Sequence, residues 1–154
     1  MRVPAFAAGL LAAILSVPCW AAGDISSSGP SVAERLQTAQ KAIDGKQWRR
    51  ALSELEAAQQ EEPRNADVYN LLGYYSRKKP NPDLPKAFEY YNAALKINPD
   101  HRGAHEYIGE AFLMDKNPQE AEKHLAHLAR ICGKHCEEYE DLAKSIAAYK
   151  ARNK

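Results

Sequence analysis

Two cysteines near the C-terminal end and five histidines are the side chains of this chain best suited to redox or metal chemistry. Cys132 and Cys136 lie four positions apart, close enough on a helical path for a disulfide, and Gly133 lets the chain bend between them. The pair reads as a structural disulfide that fixes the angle of whatever follows it. A thioredoxin-type redox pair has two intervening residues and a βαβ setting, neither of which occurs here. No C-x-x-C-H run offers haem attachment. His101 and His105, and His124 and His127, sit about one helical turn apart and could grip a metal weakly. If the thiols were reduced, Cys132, His135 and Cys136 could ligate zinc. No spacing fixes a further ligand for the histidine pairs, so the histidines read as solvated surface side chains, with no metal or cofactor expected. The carboxylates follow the solvent-facing side of helical patterns. No Ser–His–Asp arrangement, phosphate loop or fixed metal motif appears, so no catalytic residue is assigned and the chain is read as a non-enzyme.

Those residues sit in a chain long enough for one ordinary domain, with 45% hydrophobic and 27% charged residues, which is a globular balance. Lysine and arginine number 21 against 20 aspartate and glutamate. A nearly neutral chain lacks the electrostatic footprint of a nucleic-acid binder. The N-terminus has the three-part pattern of a secretory signal: Arg2, the uncharged apolar run Ala5–Val17, Pro18, and small residues that favour cleavage after Ala21. The apolar run is too short to span a bilayer, which needs about 20 residues. Pro18 before Cys19 departs from the small residue a lipidation site wants. Residues 1–21 are therefore read as a cleaved signal of bacterial type, giving an exported, periplasmic protein with no stable membrane insertion. Residues 22–30, rich in Gly and Ser, read as a disordered leader.

From Ser31 the pattern turns helical. Ser31 with Glu34 makes a capping box, and Leu36, Ala39 and Ile43 share a face before Asp44-Gly45 ends the segment. A second segment, Trp48 to Glu61, carries Ala51, Leu52, Leu55 and Ala58, and Pro63 stops it. The plan repeats with Val68, Tyr69, Leu71, Leu72 and Tyr75, a Pro80–Pro85 loop, then Ala87, Tyr90, Tyr91, Ala94 and Leu95 up to Pro99. It repeats again with Tyr107, Ile108, Phe112 and Leu113, an Asn117-Pro118 turn, then Ala121, Leu125, Leu128 and Ile131. Gly73, inside a helical segment, costs about 1 kcal/mol relative to alanine and so predicts the close approach of a neighbouring helix. Gly109 follows Gly73 by 36 residues, and Ala51, Ala87 and Ala121 are 36 and 34 apart. That period belongs to an all-α helix–turn–helix solenoid, with units near 32–65, 66–101 and 102–135. A last amphipathic segment, 136–150, carries Tyr139, Leu142, Ala143 and Ile146 on one face and reads as the cap such an array needs.

These positions resemble the tetratricopeptide repeat family over roughly Val32 to Cys132. The middle unit carries the motif most fully, in Tyr69, Leu72-Gly73, Ala87, Tyr91, Ala94 and Pro99. The third keeps Ile108-Gly109, Phe112, Ala121 and Leu125, but has His105 for an aromatic, Leu128 for a small residue and Gly133 for proline. The first keeps Trp48, Ala51, Leu55, Ala58 and Pro63, with Arg35 for its aromatic and Ala39 for its glycine. The resemblance implies three repeats and a capping helix, with the first helix of each repeat lining a concave face. Its usual contact positions fall on Asn70, Tyr74 and Arg77, then on Glu106, Glu110 and Leu113, with Glu140 and Lys144 continuing the row on the cap. Such a face suits an extended peptide or a partner helix. Leu36 and Gln40 stand where a clamp for acidic chaperone tails would begin, so that ligand is not expected. The implied function is a non-catalytic interaction module or adaptor. Self-assembly into homo-oligomers, and a metal- or redox-responsive use of Cys132 and Cys136, remain the alternatives.

Overall fold

The computed structural model describes residues 29–153, all helix and short connection. The expected signal segment and all but the last two residues of the leader lie outside them. Seven helices follow in order: α1 Val32–Asp44, α2 Trp48–Glu61, α3 Ala66–Lys78, α4 Leu84–Ile97, α5 Arg102–Met114, α6 Pro118–Ile131 and α7 Glu137–Arg152. No described helix is long and apolar enough to cross a membrane.

Local chemistry sets the boundaries. The Ser31 hydroxyl accepts from the Glu34 amide while the Glu34 carboxylate accepts from the Ser31 amide, closing the capping box. Asn65, Asp83 and Asn117 cap α3, α4 and α6 through their side chains. The expected Pro80–Pro85 loop is shorter than its sequence suggests. The Asp83 cap starts α4 at Leu84, so Pro85 falls in the first turn, where its missing N–H is no loss. Lys46 and Lys116 both adopt a left-handed backbone and close equivalent tight turns in the first and third repeats. The final helix runs two residues past its expected end at Lys150. Its first turn holds Glu137, Glu138 and Glu140 and its last turn Lys150 and Arg152, both favourable to the helix dipole.

Helices α1/α2, α3/α4 and α5/α6 pack as antiparallel hairpins. Helices α1, α3, α5 and α7 then pack in a row, whereas α2, α4 and α6 do not pack against one another. The row is therefore the inner wall of the array. Its core forms three buried clusters: Ala39, Ile43, Leu55 and Leu72 at one end, Tyr91, Ile108 and Ala111 in the middle, Leu128, Leu142 and Ile146 at the other. Gly73 has the neighbour its position predicts. A Cβ there would meet the Tyr91 ring at 2.5 Å, and one on Gly109 would meet Leu142 at 2.7 Å. The two glycines thus receive different helices, α4 in the second repeat and α7 in the third.

Two departures from the repeat pattern find replacements. Arg35, in an aromatic position, ties α1 to α2 by pairing with Glu54 at 3.0 Å and Glu61 at 2.8 Å. His105, in the equivalent position of the third repeat, stacks on His127 and touches His124. The reading of the histidines as solvated surface groups therefore needs correction. His135 is open to solvent, but His105 is 6% exposed, His124 and His127 are half-buried, and His101 caps α5. The error has a physical cause: His105 replaces a packing residue and takes its place in the interior.

The disulfide is formed. Cys132 and Cys136 are bonded with their Cα atoms 5.9 Å apart, and Gly133 supplies the left-handed backbone (φ +82°) that turns the chain into α7. Glu138 lies beside the two sulfurs, but bonded cysteines offer no thiolate to a metal.

Candidate functional site

The inner wall of α3, α5 and α7 gathers most of the residues implied by the repeat pattern. Tyr74 stacks on Tyr107 with ring centroids 4.8 Å apart, and both rings stay partly open to solvent. Burial pushes both phenols up from their ordinary range, so they stay neutral. The Arg77 guanidinium lies 5.5 Å from the Tyr74 ring centre and 5.7 Å from that of Tyr107, a cation–π arrangement beneath the pair.

Arg77 supports the wall from below rather than presenting its charge to the groove. It is 6% exposed. Its Nε–H donates to the Tyr91 hydroxyl at 3.3 Å, and its Nη2 lies 2.6 Å from Glu110 Oε2. That close approach falls off the ideal hydrogen-bond line, so it acts mainly as an ion pair. The Ser145 hydroxyl donates to the other oxygen of Glu110 at 3.0 Å. One network thus runs from α4 through α3 and α5 to α7.

Asn70 is also buried, at 7% exposure, and its Oδ1 has no partner among the described residues. Glu106 is half-buried, with neither an ion pair nor a hydrogen bond among them. Burial, reinforced by Glu110, Asp141 and Glu138, pushes its carboxyl up to about 8, with Arg77 opposing the shift. The polar side chains of α7 that bond to the wall are Glu138, 3.5 Å from Arg102, and Ser145. Glu140 and Lys144 are exposed, and the partner of Glu140 is His135 at 3.8 Å. The structure therefore joins Asn70, Tyr74, Arg77, Glu106 and Glu110 in one wall and leaves Glu140 and Lys144 beside it.

Two concavities flank the tyrosine pair. One, of about 590 Å³, lies between α5 and α7 and is lined by Leu113, Met114 and Tyr149, with Lys116 and Arg152 at its edge and the Arg77–Glu110 pair at one side. The other, about 400 Å³, lies near the start of α5 and involves Asp67, Asn70, Asp100, Arg102 and Glu138. Glu138, Asp141, Ser145, Lys116 and Arg152 were not assigned from the sequence. The amphipathic face of α7 carried a signal for the first three. Asp141 and Ser145 flank the core residue Leu142 within one turn, and Glu138 lies one turn before it.

A second cluster joins α5 to α6. The Pro99 carbonyl can only accept, so the 2.8 Å contact makes His105 Nε2–H the donor. Neutral His105 therefore has a free lone pair on Nδ1, and His124 Nδ1–H donates to it at 2.8 Å. His127 Nε2 bonds Asp100 at 3.0 Å. Burial and the neighbouring histidines hold His124 down at about 4, and burial also lowers His105.

The profile of the tetratricopeptide repeat family matches residues 36–101 and again 81–135. No curated protein matches the sequence.

Proposed function

Because this chain belongs to the tetratricopeptide repeat family, whose members are typically non-catalytic scaffolds, we propose that it is a non-catalytic adaptor that holds a peptide or partner segment along the wall of α3, α5 and α7. The observation that carries this reading is the Tyr74–Tyr107 pair. Two aromatic rings stay partly exposed on the inner wall, held in place by a buried arginine and flanked by two concavities. Aromatic surface that is ordered before binding loses little conformational entropy when a ligand arrives. An extended chain could lie across the rings and place side chains to either side.

We place the protein in a bacterial periplasm. The apolar, Arg2-led segment ending near Ala21 supports export, and the Cys132–Cys136 disulfide suits an oxidising compartment. Cell fractionation with N-terminal sequencing of the mature chain tests this placement; a full-length chain in the cytoplasm overturns it.

Capture from native periplasm tests the groove, comparing wild type with Tyr74→Ala and with Lys96→Ala on the outer helix α4. Arg77 is unsuited to this comparison because its removal would disturb the core. A protein retained by wild type and Lys96→Ala but lost by Tyr74→Ala supports the inner wall as the binding surface. Equal capture by all three overturns it.

A further inference from the structure

The inner wall carries its charges unevenly. At its centre Arg77 and Glu110 neutralise each other. Toward the start of α5 and α7 stand Glu106, Glu138 and Asp141; of the described cations that act on them, Arg102 is engaged with Glu138, and Arg77, which opposes the shift of Glu106, is paired with Glu110. Glu106 has no partner among the described residues. Asp67 already accepts from His101 at 2.9 Å, and Asp100 is engaged by His127 at 3.0 Å. The remaining unmet demand in this quarter of the wall is for hydrogen-bond donors and positive charge. Asn70 is an independent sign of the same demand. It belongs to the recess, is more than nine-tenths buried, and has a side-chain oxygen without a partner. An atom left unpaired in the interior costs folding free energy, which a ligand donor that reaches the amide recovers.

We propose that this acidic end of the groove, built on Asn70, Glu106 and Glu138, receives a lysine or arginine side chain of the bound segment. This rests on the groove reading above and adds to it the chemistry of one ligand position. An ammonium or guanidinium is all donor, with no lone pair to clash with the carboxylates around it. Its stem would run back toward the Tyr74–Tyr107 rings, which suit an alkyl chain. Binding also offsets the repulsion that Glu106, once ionised, would meet from Glu138 and Asp141. Glu106, held up at about 8 in the free protein, ionises beside the incoming cation and releases a proton at neutral pH.

The test uses capped nonapeptide libraries with one position fixed as lysine, arginine, norleucine or glutamate and the others randomised. Binding is measured to wild type, to Tyr74→Ala and to a Glu106→Gln, Glu138→Gln variant, each checked for helical content. Norleucine matches the lysine stem without its charge. The expected result is a lysine or arginine preference over norleucine of about tenfold at one position, equivalent to about 1.4 kcal/mol. That preference should shrink to about twofold in the double variant, and calorimetry at pH 7 in buffers of different ionisation enthalpy should detect proton release on binding. Peptides that bind through Tyr74 with lysine and norleucine equal, or with glutamate favoured, overturn the cation position and leave the groove standing. A preference that persists in the double variant also overturns it. No Tyr74-dependent binding by any library removes the groove reading and this inference with it.

Discussion

Removing a guanidinium from water costs several kcal/mol unless partners replace the lost hydration. Arg77 has them: the Tyr91 hydroxyl, the Glu110 carboxylate and the faces of Tyr74 and Tyr107. Taking away the arginine would leave Glu110 partly buried with only Ser145 in support, and would loosen the floor under both tyrosines. Arg77→Ala should therefore lower the stability to urea unfolding by about 3 kcal/mol, far more than an exposed charge would. A loss below about 0.5 kcal/mol, the ordinary range for surface substitutions, would show that the network does not bear on the fold. This role was hidden in the sequence, where Arg77 stands at a ligand-contact position of its repeat. Neighbouring helices are offset along their axes. Tyr74 meets Tyr107 and Arg77 meets Glu110, each 33 positions on, whereas the glycines repeat every 36. Equivalent positions are thus about one turn out of register, and Arg77 finds a carboxylate rather than Leu113.

The helix α7 docks through Leu142, which fills the space above Gly109 on α5. An alanine at Gly109 would place its Cβ 2.7 Å from the Leu142 side chain, so the two helices would have to separate or Leu142 change rotamer. Overpacking of this kind costs about 1–3 kcal/mol, while the gain in helix propensity returns about 1 kcal/mol. The expected outcome of Gly109→Ala is a modest net loss of stability together with faster amide exchange in α7. Unchanged α7 exchange would show that Leu142 does not hold the cap. The elements themselves were legible because their signals are local: capping residues, Asn117-Pro118, and small residues recurring at the repeat period. Which face of α7 joins the wall was less legible. Each helical residue turns about 100°, so Glu140 and Lys144, each one position before Asp141 and Ser145, point away from the contacts those neighbours make. The choice depends on where Leu142 docks, and the repeat motif does not contain that information.

Across the whole array, two groups of opposite sign shape stability against pH. Glu106 has its carboxyl raised from 4.5 to about 8, so between those values the folded chain holds a proton the unfolded chain has lost, and stability falls as pH rises. His124 is depressed from 6.5 to about 4, and between those values the unfolded chain holds the extra proton, so stability rises with pH. The lowered His105 adds to the second trend. From about 4.5 to about 6.5 the contributions oppose and largely cancel, and above about 6.5 only that of Glu106 remains. The two groups lie on different walls of the third repeat, so substitutions there should act nearly independently. Urea midpoints recorded from pH 4 to pH 8 should then have a different shape for each variant. Relative to wild type, Glu106→Gln should lose the fall between pH 6.5 and 8. His124→Gln should lose its share of the opposing rise and leave that of His105, so that from about 4.5 to about 6.5 its stability falls relative to wild type as pH rises. Parallel curves for wild type and Glu106→Gln above pH 6.5 would mean that Glu106 titrates as an ordinary exposed carboxylate. In that case the acidic end of the groove is hydrated and its charges are already screened. A lysine arriving there would then find no repulsion to relieve.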